Sequence, residues 1–138
     1  MKTQSVSNSL VDGLKKRLQP VFKKYEKQLV FAYIFGSVVT GGYNIAESDI
    51  DLAFFLDSDE LDLDFQLGLM ADCGRALKSD RIDLVILNQI KNLMLAEEIV
   101  RTGQVIFERD KEKRDLFEVK IIYQAIDFRE HRKVMMGF

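Results

Sequence analysis

The sequence predicts an α/β fold in which helices pack against a small mixed β-sheet. Three observations carry this. Segments with apolar residues at helical spacing alternate with short, continuous apolar runs of strand length. Clusters of Gly, Ser and Asp separate the two kinds of segment. The 138 residues, 47% apolar and 30% charged, suit one compact domain that buries a core without disulfides or a structural metal. A single domain over residues 1–138 is therefore expected, with 1–8 and 131–138 as flexible ends.

Residues 8–27 read as an amphipathic helix. Leu10, Leu14, Leu18, Val21, Phe22 and Tyr25 recur at helical spacing, and Lys15, Lys16, Lys23, Lys24 and Lys27 fall largely on other faces. Pro20 lacks an N–H and is expected to kink or split that helix. The apolar run 29–35 suits a buried strand, stopped by Gly36-Ser37. Residues 38–48 contain Thr40-Gly41-Gly42 and read as a short helical turn and a loop. A second strand is expected over 49–56. Asp57-Ser58-Asp59-Glu60 is a polar stop able to cap a helix over 62–78. Residues 81–87 form a third strand. A helix over 89–101 places Ile90, Leu93, Met94 and Ile99 on its apolar side and ends at Gly103. A short strand over 104–108 and a last helix over 110–129 complete the series.

Composition narrows the chemistry. A net charge of −2 argues against a protein that coats nucleic acid. One cysteine, Cys73, fits a reducing compartment and reads as core packing. No apolar run approaches the roughly 20 residues of a membrane span, and the N-terminus lacks the apolar core of a signal peptide. A cytoplasmic protein without membrane or direct nucleic-acid contact is expected. The one histidine, His131, reads as part of a solvated helix end, so His-based zinc and Ser-His chemistry are poor fits. Asp and Glu are what remain.

In an extended strand, residues i and i+2 share a face, so Asp49 and Asp51 point the same way while Ile50, Leu52, Phe54 and Leu56 point the other. Two adjacent carboxylates repel unless something neutralises them, and carboxylates with water and phosphate oxygens suit magnesium. Asp83 lies alone among apolar residues in the third strand. If that strand neighbours the second, the three acids form a cluster able to hold two ions about 4 Å apart. Asp83 is also placed to take the proton of an acceptor hydroxyl. Gly36 lets backbone approach phosphates closely, and Ser37 adds a hydroxyl and an N–H at the start of a helical turn. Gly-Ser alone is a common turn and Asp-x-Asp a common acid pair; it is their combination with a third acid in a strand that points to nucleotide chemistry. Arg75, Lys78 and Arg81 are the candidates for more distant phosphate contacts.

With Gly36, Ser37, Asp49, Asp51 and Asp83 in this order, the chain resembles the minimal nucleotidyltransferases, small members of the DNA polymerase beta-like superfamily. Downstream, Gly103 to Asp110, Phe117-Glu118 and Tyr123 to Phe128 resemble the antitoxin branch, which pairs with HEPN-domain RNase toxins. The resemblance spans roughly residues 10–130 and implies a polymerase beta palm-like fold. It implies transfer of AMP from ATP to a hydroxyl, in the antitoxin branch a tyrosine of the toxin, which silences the RNase. Asp49, Asp51 and Asp83 would be the catalytic and magnesium-binding residues, and Gly36 and Ser37 would hold the nucleotide. Two departures stand out. The spacer between Ser37 and Asp49 has eleven residues, one more than is common. Thr40 stands where many relatives carry an arginine. The alternatives are an antitoxin that neutralises by binding alone, and a nucleotidyltransferase acting on a small molecule or RNA. Few residues remain for an acceptor-binding domain, which favours an acceptor carried by a partner. On the last helix, apolar residues cover more than one stripe, enough for both core and partner.

Overall fold

The computed structural model describes residues 2–58 and 61–136. Asp59 and Glu60 of the expected polar stop, and Met1, Gly137 and Phe138 at the expected flexible ends, lie outside the described residues.

The first amphipathic pattern splits as Pro20 requires. Helix α1 spans Lys2–Arg17 and α2 spans Gln19–Lys24, with Leu18 between them. Pro20 falls in the first turn of α2, where a helix has no use for its missing N–H. Strand β1, Leu29–Phe35, is buried along its whole length. A four-residue helix α3 follows, Ser37–Thr40, and then β2, Ile50–Leu56. Helix α4 spans Leu63–Leu77 and is capped by Asp62, whose carboxylate accepts from Phe65 N at 2.8 Å. Strand β3, Ile82–Ile86, leads through a 3-10 turn, Leu87–Gln89, to helix α5, Leu93–Thr102. Helix α5 starts later than its apolar pattern suggests because Asn92 caps it, accepting from Leu95 N at 3.1 Å. Strand β4, Gln104–Glu108, and helix α6, Lys111–Met136, close the chain. Both α1 and α6 run further toward the termini than the apolar patterns alone indicate.

The four strands form one mixed sheet in the order β3-β2-β1-β4. Strand β1 pairs antiparallel with β2 and β4, while β2 and β3 run parallel through the α4 crossover. The fully buried β1 is thus a central strand, and β3 and β4 are the edges.

Alternation along the strands sends side chains to two cores. Ala32, Ile34, Leu52, Phe54 and Leu56 meet α1, α2 and α4, including Leu14, Phe22, Leu69 and Cys73. Cys73 is fully buried there, and burial pushes its thiol up to about 12, so it packs as an inert apolar group. Phe31, Tyr33, Phe35 and Ala53 face the other way, toward Ile99 of α5 and Phe117 of α6. Phe31 stacks on Phe55 at 4.7 Å between centroids, and Phe117 leans on both rings. The hydroxyl of Tyr33 donates to Glu118, which also accepts from Arg114 at 2.7 Å, and Arg114 reaches Glu108. That network pins the start of α6 to β1 and β4. Among the described residues, no helix is long and apolar enough to cross a membrane.

Candidate active site

Where β1 ends, the backbone turns sharply. Gly36 has φ +77° and ψ −150°, a conformation that L-residues rarely adopt. The space above it is taken as well: a Cβ built there would overlap Asp51 Oδ2 and lie 3.1 Å from its Cγ. Gly36 is therefore the one residue type that fits between the end of β1 and the Asp51 carboxylate. The Gly36 carbonyl accepts from the N–H groups of Val39 and Thr40, each at 3.0 Å, and from Thr40 Oγ1 at 3.2 Å. Thr40 thus folds its hydroxyl back onto the turn. Gly41, at φ +96°, ends the turn.

The loop from Gly42 to Asp49 is organised around Asn44. Its carbonyl accepts from Ser48 N at 2.8 Å, and its side chain accepts from Ala46 N at 2.9 Å. Ser48 Oγ accepts in return from Asn44 N at 3.0 Å. Arg81 ties the loop to the start of β3, its guanidinium donating to the Glu47 carbonyl at 2.9 Å. These bonds deliver Asp49 to the entrance of β2.

Asp49 lies just outside the strand, which begins at Ile50, and is exposed. Asp51 is half-buried, opposite Phe35 of β1 on one side and Asp83 of β3 on the other. The in-register pairing of Asp51 with Asp83 across parallel strands puts both acids on the face that carries Ala53. The carboxyl of Asp51 is pushed up to about 6, first by burial, then by the negative charges of Asp83, Asp49 and Glu98. Among the described residues, none of these four carboxylates has an ion pair. Glu98, on α5, escapes a reading by strand pattern. Its place beside Asp51 depends on how α5 packs, and no local signal in the sequence reports that.

The acids do not close into a protein cage. Among the described residues, no three His, Cys, Asp or Glu side chains group closely enough to hold an ion by themselves. Asp49 sits in the loop just before β2, so Asp51 and Asp83 are the two acids that share a strand register. The donor set still fits magnesium, which is usually bound by one or two carboxylates together with waters and substrate phosphates. Of the expected distant cations, Arg75 and Arg81 are otherwise engaged. Arg75 pairs with Asp72, which also takes Lys24 at 2.8 Å and Tyr25 at 2.5 Å. Arg81 holds the loop, and Lys78 forms the left-handed end of α4 at φ +52°.

A family model described as "Polymerase beta, Nucleotidyltransferase" matches residues 16–112. Solved structures share the fold. A toxin-antitoxin structure with AMP-PNP is 25% identical at a TM-score of 0.73, covering 89% of this chain and 95% of that one. A variant of the toxin-antitoxin MntA-HpeT is 26% identical at a TM-score of 0.71, covering 88% and 94%. A tri-AMPylated Shewanella oneidensis HEPN toxin in complex with MNT antitoxin matches at 24% identity and a TM-score of 0.70, covering 92% and 96%, a likeness of fold. No curated protein matches the sequence significantly.

Proposed function

This chain belongs to the polymerase beta nucleotidyltransferase family, and from that premise we propose that it is an antitoxin that transfers AMP from ATP to a tyrosine hydroxyl of a HEPN-domain toxin. The observation that carries the reading is the contact of Gly36 with Asp51, itself in register with Asp83, in a site of unpaired carboxylates. Unpaired acids at the edge of a core are costly, and a ligand that brings positive charge relieves them. The AMP-PNP held by a 25% identical toxin-antitoxin structure supports an adenosine triphosphate as that ligand's nucleotide.

The residues divide the work by position. The tight Gly36 turn brings the backbone of Ser37 and the Ser37 hydroxyl to the phosphate chain. Asp49 and Asp51 would hold magnesium, which neutralises phosphate charge and aligns the α-phosphate when bound. Asp83, exposed on the outer strand, faces the side from which an acceptor arrives, and takes the proton of the tyrosine hydroxyl. The tyrosine oxygen forms a bond to the α-phosphorus, and the bond from that phosphorus to its bridging oxygen breaks. Pyrophosphate leaves with the electron pair.

The acceptor is carried by another protein, in this reading, because α6 offers a surface for one. Its inner side, Ile121 and Ala125, is buried. Its outer side leaves Leu116, Val119, Tyr123 and Ile126 from 45% to 69% exposed, an apolar stripe that a free helix in water does not favour. The same stripe supports a second reading, in which the protein neutralises its partner by covering it. Incubation with ATP, magnesium and a HEPN-domain protein encoded beside it separates the two. Intact mass of the partner should rise by one or more AMP units, and the rise should vanish with Asp51→Asn. A stable complex with no mass change would leave the covering mechanism.

A further inference from the structure

The sheet order arranges the site as a track. Asp83 lies on β3, Asp51 on β2, Gly36 and Ser37 at the end of β1, and β4 lies beyond. Gln104, the first residue of β4, pairs with Ile34, two residues before Gly36. The last turn of α5 comes immediately before it. At Gly103 a Cβ would lie 3.4 Å from the Ile34 carbonyl, so this turn rests against the end of β1. Arg101 and Glu98, one turn apart on α5, line a cleft of about 480 Å³ between α5 and α6. Across the cleft, Arg129 is bound to Glu97 at 2.8 Å. Arg101 is exposed and, among the described residues, makes no ion pair.

Resting on the nucleotidyltransferase reading, we propose that Arg101 binds the β- and γ-phosphates of the nucleotide and receives the pyrophosphate as it leaves. The track gives each group one neighbour. The acceptor meets Asp83, the α-phosphate meets Asp51, and the phosphate tail runs past Gly36 and Ser37 toward α5. The tail carries several negative charges, and the stretch from Ser37 to Asp49 contains no Lys or Arg to meet them. Arg75 and Arg81 are occupied elsewhere. A guanidinium with free donors suits a phosphate, which it can grip with two parallel hydrogen bonds.

Calorimetric titration of the full chain with AMP-PNP and with AMP, in magnesium, tests this. Arg101→Ala should weaken AMP-PNP binding about tenfold or more and leave AMP within about twofold. Arg101→Lys, which keeps the charge without the fork, should fall between, and Arg75→Ala should match the unaltered protein. Equal thermal midpoints confirm that the variants fold. If the unaltered protein binds AMP-PNP and Arg101→Ala binds it as tightly, or loses AMP to the same extent, the role of Arg101 is overturned while the enzyme reading stands. If the unaltered protein binds no AMP-PNP, the nucleotidyltransferase reading itself falls, and this inference with it.

Discussion

At the scale of single residues, Gly36 and Asp51 form one unit. A side chain at Gly36 faces a positive φ and a carboxylate in its space, so Gly36→Ala should cost about 1–2 kcal/mol from the backbone alone. Urea denaturation reads that loss, and AMP-PNP binding should fail alongside it as Asp51 is displaced. Asp51 works in the opposite sense. Its folded carboxyl, near pH 6, is raised above the ordinary 3.8, so the folded state holds its proton more tightly. Its stability contribution is full below about pH 3.8 and is lost as pH rises through 6. Asp51→Asn should therefore raise the thermal midpoint at pH 7.5 by about 2–4 °C, once solvent screening at this half-buried site is discounted. The gain should shrink as pH falls through 6 and disappear below 4, while transfer is lost at every pH. Gly36, Asp51 and Asp83 are legible in the sequence because each breaks a local pattern: a turn after an apolar run, or an acid inside one. Glu98 and Arg101 break none. They are ordinary charges on an amphipathic helix, and only the packing of α5 against the end of β1 gives them a role.

Among elements, all four strands follow from apolar runs bounded by turn residues, and Pro20 divides the first helix as its chemistry requires. The register between β2 and β3 does not follow from sequence. It is set by the α4 crossover and by side chains far apart in the chain, and on it rests the pairing of Asp51 with Asp83. The start of helix α6 is held by Phe117 and by Glu118 and Arg114, which meet Tyr33, 85 positions before Glu118. Glu118→Ala would leave the buried Tyr33 hydroxyl without its acceptor and cost about 1–3 kcal/mol in denaturant titration. Tyr33→Phe removes the orphaned group with the contact and should cost less. If the two variants were equally unstable, hydrogen bonding would not be what fixes α6.

For the molecule as a whole, the two faces of the sheet have different duties. One packs α1, α2 and α4 into the larger core, and the other packs α5 and α6 and carries Asp51 and Asp83. The outward stripe of α6 belongs to neither. Ile126→Lys with Tyr123→Ser should leave the thermal midpoint within about 2 °C, since surface changes are close to neutral, and should abolish co-purification with the proposed HEPN-domain partner. Preserved co-purification would move the interface elsewhere. Asp83 lies on β3, an edge strand bonded to the sheet on one side only and reached through a long crossover. Edge segments with one bonded neighbour open locally at lower free energy than the centre of a sheet. Amide hydrogens of β3 should exchange for deuterium well before those of β1. On gentle warming, then, the side of the site that carries Asp83 comes apart first, and the proposed transfer activity fades while circular dichroism still reports an intact protein.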